Sequence, residues 1–226
     1  MAKITKKEEE LRQQNVAEAV SRTDQFFKAY GKLIYTCTIA VLLVAAAALA
    51  FNRFWLQPRK AQATDQMIRA EQWFEAGEYE LALGGDSNDL GFADILNQYG
   101  SKAGEAIYLY TGICQLRTGA YQEAIGTLKK YDGKDPILLS RAQACIGDAY
   151  VELEEYGKAV SWFEKAAQTV DNAFAAAYLL KAGIAAEADG KPEKALEFYQ
   201  TIKDQWASAP EAMEIDKYIT RIQFAE

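Results

Sequence analysis

A run of twenty residues without a charged side chain, residues 33–52, constrains this chain more than any other feature of its sequence. It lies between Lys32 and Arg53, and its centre is apolar on every helical face, unlike an amphipathic helix of a soluble protein. At about 1.5 Å per residue, a helix of this length matches the roughly 30 Å of a bilayer's hydrocarbon core. Phe54 and Trp55 follow the run, as aromatic residues do at headgroup depth. The sequence therefore predicts one transmembrane helix over residues 33–52.

A cleaved signal peptide is the main alternative, because Ala48, Leu49 and Ala50 form the small-residue pattern of a cleavage site. The preceding residues 1–32 are longer and more mixed in charge than the start of a signal peptide, which favours an uncleaved signal-anchor. Cys37 stands before the apolar core and has no small residues in front of it, which argues against a lipoprotein.

The charges divide unevenly along the chain. Residues 1–60 carry ten Lys and Arg against five acidic residues, whereas residues 61–226 carry 15 against 27. A basic head on an acidic body is typical of a chain that touches a membrane at one end, and the acidic body argues against nucleic-acid binding. Basic residues are similarly frequent on both sides of the apolar run, so they do not decide its orientation. A short head before a first anchor favours a cytoplasmic N-terminus.

Two segments flank the predicted anchor. Residues 1–32 are expected to form a cytoplasmic amphipathic head, since apolar and small residues recur at helical spacing: Val16, Val20, Thr23, Phe27 and Tyr30. This stripe either lies on the inner membrane surface or docks a partner, and the sequence does not separate the two. Residues 53–60 are expected to be a juxtamembrane linker to a domain over residues 61–226.

The domain at 61–226 contains a turn pattern that recurs four times. Each copy has an alanine three residues after an aromatic residue or a proline, and these alanines are Ala82, Ala124, Ala159 and Ala195. Twelve residues before them stand Ala70, Gly112, Gly147 and Gly183, and the last three alanines are followed at four residues by Leu128, Phe163 and Tyr199. This pattern resembles the tetratricopeptide repeat, a helix–turn–helix of about 34 residues in which small residues let paired helices approach closely.

The fold class that follows is all-α: one N-terminal transmembrane helix, then a tetratricopeptide-repeat α-solenoid of about four helix pairs plus a capping helix. Asp135 is expected to cap a helix that starts at Pro136. In the first unit, turn-forming residues 84–91 interrupt the second helix, which resumes over residues 92–99. The capping helix is expected over residues 210–224, with an inward side formed by Met213, Ile215, Tyr218, Ile219 and Ile222.

Repeats of this kind bind partners on the concave surface that the first helix of each pair lines. Counting from the small residue predicts these groove positions: Met67, Glu71, Phe74, Glu75, Leu109, Ile113, Leu116, Arg117, Arg141, Asp148, Val151, Glu152, Leu180, Ile184 and Glu187. Their mixture of apolar and acidic residues suits an apolar or basic segment, or a helix of a partner protein. For any one apolar position the alternative is packing against a neighbouring helix. A single polar change, at Ile113 for example, is expected to have little effect on partner binding.

The sequence lacks several residue types and motifs that enzymes commonly use for catalysis. The chain has no histidine, which excludes Ser-His-Asp and Cys-His catalysis, and it has no glycine-rich phosphate loop. We therefore expect no enzyme, no catalytic residue, no cofactor, no metal site and no small-molecule substrate. Cys114 and Cys145 lie on adjacent first helices, where they either pair in an oxidising compartment or fill helix contacts as small buried residues.

The architecture, a basic head, an anchor and four repeat-like units, resembles the YfgM-like tetratricopeptide family of ancillary SecYEG translocon subunits. The likeness is sharpest over residues 92–104 and 112–125. It implies a single-pass protein of the bacterial inner membrane with a cytoplasmic N-terminus and a periplasmic repeat domain. It also implies, as partners, the translocon and periplasmic chaperones, including a membrane-anchored prolyl isomerase.

The resulting expectation is a membrane-anchored, non-catalytic scaffold in protein export. The alternative is a scaffold of the same shape that serves another envelope, cell-wall or respiratory membrane complex, and the identity of the partner separates the two. An enzyme is the third hypothesis, which turnover abolished by one carboxylate substitution would support.

Overall fold

The computed structural model describes residues 6–224, with side chains left out at residues 6–10, 13, 14, 19 and 22–27. Within this described part the chain is all-helical and contains no β-strand, which confirms the all-α fold class. The chain divides into two compact parts, an N-terminal part, Met1–Pro58, and a C-terminal part, Arg59–Glu226.

The N-terminal part is dominated by one long helix. Helix α1 covers Lys6–Phe51 and continues through a π-helical turn, Asn52–Leu56, into helix α2, Gln57–Glu75. The helical segment Lys28–Glu75 contains an 18-residue window with a mean hydropathy of 2.4, and none of that window is buried. By length and composition this N-terminal helix is therefore able to cross a membrane.

The flanks of the predicted anchor are also helical. Residues 53–60, expected as a linker, belong to the π-helical turn and the first residues of α2. In the head, the side chains of Val16, Val20 and Tyr30 are exposed. The side chains of Thr23 and Phe27, which the predicted stripe also includes, lie outside the described residues.

The C-terminal part, Arg59–Glu226, contains α2 from Arg59 onward and then the remaining helices in chain order: α3 Tyr79–Gly84, α4 Phe92–Tyr99, α5 Ala106–Arg117, α6 Tyr121–Leu128, α7 Pro136–Glu152, α8 Tyr156–Thr169, α9 Phe174–Ala188, α10 Pro192–Gln205 and α11 Ile215–Gln223. Two 3₁₀ turns, Gly100–Ala103 and Pro210–Met213, precede α5 and α11. From α5 to α10 each helix packs against the next one in sequence. This arrangement makes most of the core local in sequence.

The four predicted turns share one backbone conformation. Their first residue has a positive φ, at Gly77, Gly119, Glu154 and Gly190. The next residue donates its N–H to the carbonyl five positions back, over 2.9, 2.8, 2.9 and 2.9 Å in turn. This hydrogen bond closes the end of the first helix as in a Schellman motif. All four turn alanines are fully buried, so the turn pattern marks a real structural repeat.

Glu154 is the exception among these turns, because it is the only non-glycine residue with a positive φ in the described part of the chain. Left-handed backbone costs an L-residue about 1 kcal/mol, and glycine avoids that cost. We expect Glu154→Gly to raise the free energy of unfolding by about 1 kcal/mol, measured by urea denaturation. Gly119→Ala is the matched control, because open space surrounds that position and only its φ of 83° opposes the change. A Glu154→Gly variant less stable than the parent would contradict this assignment.

The small residues on the first helices sit where the predicted bulky residues cover them. A methyl group added to Gly112, Gly147 or Gly183 would overlap the side chain found sixteen residues later, and these covering side chains are Leu128, Phe163 and Tyr199. Such close contact between paired helices is possible only without a side chain at the glycine. The periodic pairing of glycine and bulky residue is thereby confirmed.

The irregular parts of the domain also agree with the predictions made from the sequence. The Asp135 carboxylate accepts hydrogen bonds from the N–H groups of Ile137 and Leu138 at 2.8 and 3.1 Å, capping α7. The predicted interruption appears between α3 and α4. At the C-terminus, Ile215, Ile219 and Ile222 are buried as predicted.

One inward assignment at the C-terminus is wrong. Met213 is 83% exposed, whereas the sequence places it on the inward side of the capping helix. It belongs to a 3₁₀ turn that ends before α11 begins at Ile215. The α-helical spacing that the prediction assumed therefore does not extend back to it.

Candidate functional site

The predicted groove residues differ widely in accessibility. Met67, Leu109 and Ile113 are buried in the core, whereas five others are exposed: Glu75, Arg117, Arg141, Glu152 and Ile184. The remaining seven are half-buried: Glu71, Phe74, Leu116, Asp148, Val151, Leu180 and Glu187. The buried three have little surface to offer a partner, so they act mainly in helix packing.

One pocket brings several of the predicted residues together. It has a volume of about 410 Å³ and is lined by Leu116, Arg117, Tyr121, Asp148, Val151, Glu152 and Lys181. We call it the α5–α7–α9 pocket, after the first helices that contribute to it. Five of these residues were predicted as groove residues: Leu116, Arg117, Asp148, Val151 and Glu152. Leu116 and Val151 also pack against the core, so the pocket has an apolar floor fixed by the fold.

Two polar contacts across helices shape the pocket. The Lys181 ammonium on α9 lies 2.7 and 2.9 Å from the two carboxylate oxygens of Asp148 on α7. The Tyr121 hydroxyl donates a hydrogen bond to Glu152 Oε2 at 3.1 Å, and this bond raises the pKa of the tyrosine. Both carboxylates of the pocket therefore have a partner within the protein.

Tyr121 and Lys181 are pocket residues that the groove count missed. Tyr121 is the aromatic residue of its turn, but its sequence position gives no sign of its contact with the next unit. Lys181 lies three residues before Ile184, on the adjoining part of α9. Its long side chain reaches the neighbouring helix, which a count of positions on one helix does not reveal.

A contact between neighbouring units recurs beside the pocket. The guanidinium of Arg117, in the last turn of α5, lies 5.9 Å from the ring centre of Tyr79. Glu152 ends α7 as Arg117 ends α5, and it accepts the hydrogen bond from Tyr121. In both cases the turn tyrosine of one unit contacts the end of the next unit's first helix, so these tyrosines help to fix neighbouring units together.

The first unit presents an aromatic cluster with acidic groups beside it. The ring centres of Phe74 and Tyr110, and those of Phe92 and Tyr110, lie 5.1 Å apart. Burial, and to a lesser degree the carboxylate of Glu75, raise the pKa of Glu71. Phe74 is thus a packing residue that joins α2 to later helices.

Glu187, a predicted groove residue, is engaged inside the domain. It accepts a hydrogen bond from the Tyr199 hydroxyl at 2.5 Å and pairs with Arg221 at 2.6 Å. Burial and this hydrogen bond raise the pKa of Tyr199. The three residues connect α9, α10 and α11, which indicates that Glu187 holds the C-terminal helix in place.

Both cysteines of the repeat domain are free thiols in the structure and are buried. Burial raises the pKa of Cys114 to about 12 and also raises that of Cys145. Such thiols stay protonated at neutral pH and are poor nucleophiles. Their placement supports the packing interpretation over a disulfide.

No group of three or more Cys, Asp or Glu side chains with metal-binding geometry occurs among the described residues. The pocket accordingly offers apolar surface, two cations and two engaged carboxylates. Comparison with protein-family models and with curated proteins finds no match for the chain.

Proposed function

We infer that the protein is a membrane-anchored, non-catalytic scaffold whose repeat domain binds other proteins. The observation that carries this proposal is the α5–α7–α9 pocket, where side chains from three first helices converge on one surface. A surface assembled from successive repeats is the usual binding site of a helical solenoid.

Assignment of the domain as a tetratricopeptide-repeat solenoid belongs to this proposal. Four turns of equal backbone conformation support it. Three glycines covered by the side chain sixteen residues later support it as well. Successive turns stand 42, 35 and 36 residues apart and the three glycines 35 and 36 apart. All but the first interval, which contains the interruption after α3, are close to the 34 residues of this repeat.

The charges of the pocket indicate what kind of segment it accepts. Lys181 neutralises Asp148, and Glu152 is bonded to Tyr121. The free area is the apolar floor formed by Leu116 and Val151 between these polar contacts. We expect a partner segment with one or two apolar side chains for the floor and mixed charges beside them.

The partner's identity rests on the family resemblance. The proposal places the chain in the bacterial inner membrane with its N-terminus in the cytoplasm and its repeats in the periplasm. Its partners would be the SecYEG channel and a periplasmic chaperone or membrane-anchored prolyl isomerase. The long apolar helix supports the anchor. The alternative partner is another envelope, cell-wall or respiratory complex.

Charge reversal in the pocket tests this function. We expect Lys181→Glu to place three carboxylates together and to lower partner recovery about tenfold, a loss that corresponds to about 1.4 kcal/mol. The measurement is a mild-detergent pull-down of the full-length chain, with co-purifying proteins quantified by mass spectrometry.

Lys203→Glu is the matched control. Lys203 is 48% exposed and pairs with Asp216, much as the 45% exposed Lys181 pairs with Asp148. Equal recovery by both variants would move the binding surface away from the pocket. Recovery of a cell-wall or respiratory complex, lost with Lys181→Glu, would keep the pocket and replace the export partner.

A further inference from the structure

A second surface of the repeat domain gathers cations around two aromatic rings. The ammonium of Lys129, at the end of α6, lies 5.7 Å from the ring centre of Tyr150 and 5.6 Å from that of Trp162. Lys158 lies 5.3 Å from the Tyr150 ring, and Lys165 lies 4.8 Å from the Trp162 ring. We call these five residues the lysine–aromatic patch.

The patch is accessible and short of counter-charge. All three lysines are exposed and Trp162 is half-buried, whereas Tyr150 is buried beneath them. Lys158 pairs with Glu155. Within the described residues, neither Lys129 nor Lys165 forms an ion pair, and Lys129 donates only to the Tyr150 hydroxyl at 3.3 Å.

This surface contrasts with the rest of the domain. Residues 61–226 carry 15 basic against 27 acidic residues, so the domain as a whole is repelled by an anionic surface. Three exposed lysines, of which only Lys158 forms an ion pair, make a local positive site in that acidic background. Cation–π contacts hold the ammonium groups beside the two rings without neutralising them.

We propose that the lysine–aromatic patch binds the anionic headgroups of the membrane that holds the chain's own apolar helix. Lysine side chains beside a partly exposed tryptophan form the combination that settles at a lipid headgroup surface. Each lysine near an anionic bilayer strengthens binding by about fivefold. The covalent tether to the anchor raises the effective concentration of the bilayer, so a weak patch suffices.

This proposal rests on the membrane anchor of the proposed function and is independent of the pocket and its partner. Its consequence is that the acidic domain approaches the bilayer by one face. The α5–α7–α9 pocket shares no residue with the patch, so variants of the two surfaces can be tested separately.

The test uses the full-length chain in liposomes of phosphatidylcholine, alone or mixed with phosphatidylglycerol. The signal of Trp162 is the difference in fluorescence between the parent and Trp162→Phe, and a nitroxide on the lipid headgroup serves as quencher. We expect quenching of this signal in the anionic liposomes, reversed by high salt. The triple variant Lys129→Gln, Lys158→Gln, Lys165→Gln should show no such quenching.

A control variant removes the same charge elsewhere: Lys191→Gln, Lys203→Gln and Lys217→Gln, whose lysines are all exposed and ion-paired. It should leave Trp162 quenching unchanged. Equal quenching in neutral and anionic liposomes would overturn the proposal. A second result would also overturn it: Trp162 fluorescence that does not respond to lipid, together with loss of a co-purified protein in the triple patch variant. The patch would then be a protein interface. Carbonate extraction that removes the chain from the liposomes would instead contradict the anchor itself.

Discussion

Ile113→Asp should unfold the repeat domain or leave it severely destabilised. The Ile113 side chain is only 8% exposed and belongs to the main cluster of buried apolar residues. A buried charge without a partner typically costs about 3–5 kcal/mol, a large part of a domain's total stability. Repeat spacing assigns this residue to the partner groove, where a polar change is expected to matter little. Its burial makes stability the dominant effect.

Ile184→Asp is the matched control, because Ile184 stands at the same repeat position on α9 and is 46% exposed. A surface substitution of this kind usually changes stability by less than about 0.5 kcal/mol. Urea unfolding of the full chain in detergent, followed by tryptophan fluorescence, compares the two variants. Similar midpoints for both would contradict the arrangement of first helices described above.

Gly183→Ala is expected to have the second largest effect. The added methyl group would overlap the ring of Tyr199, which is fully buried. That ring cannot move aside easily, because its hydroxyl is bonded to Glu187 and Glu187 is paired with Arg221. Overpacking of a closed core costs about 1–3 kcal/mol, which exceeds the roughly 1 kcal/mol that alanine gains over glycine inside a helix.

Gly126→Ala supplies the control for this change. Gly126 lies inside α6, and nothing stands within 4 Å of an added methyl group. Only the preference of the helix for alanine over glycine therefore acts, and we expect this variant to be about 0.5–1 kcal/mol more stable than the parent. Opposite signs for the two glycine changes would confirm the close helix contact. Stabilisation by both would show that α9 and α10 do not pack as closely as described.

The repeat itself is predictable because its determinants are local. A glycine that permits a positive φ, and an alanine or glycine that permits close helix contact, both act within one helix pair. The sixteen-residue spacing of Gly147 and Phe163 is therefore enough to predict their contact. The same locality explains why the interruption after α3 is visible as a run of turn-forming residues.

The groove is less predictable, because accessibility depends on what the neighbouring unit contributes. Ile113 and Ile184 share a repeat position, yet α5 packs against α7, whereas α9 has the short 3₁₀ turn Pro210–Met213 beyond its own pair. In the sequence Glu187 looks free for a partner, and only the fold brings Arg221 to it from 34 residues away. The spacing of apolar residues along one helix does not predict its contacts with other helices.

We propose that the α5–α7–α9 pocket holds a protein-export partner. Photo-crosslinking tests this most directly, with a photoreactive residue at Val151 of the full-length chain in native membranes. Ser161, exposed on α8 and outside that pocket, serves as the control position. We predict adducts from Val151, and few from Ser161, with subunits of the export channel or a periplasmic folding factor. Adducts confined to a cell-wall or respiratory complex, or found only from Ser161, would contradict the proposal.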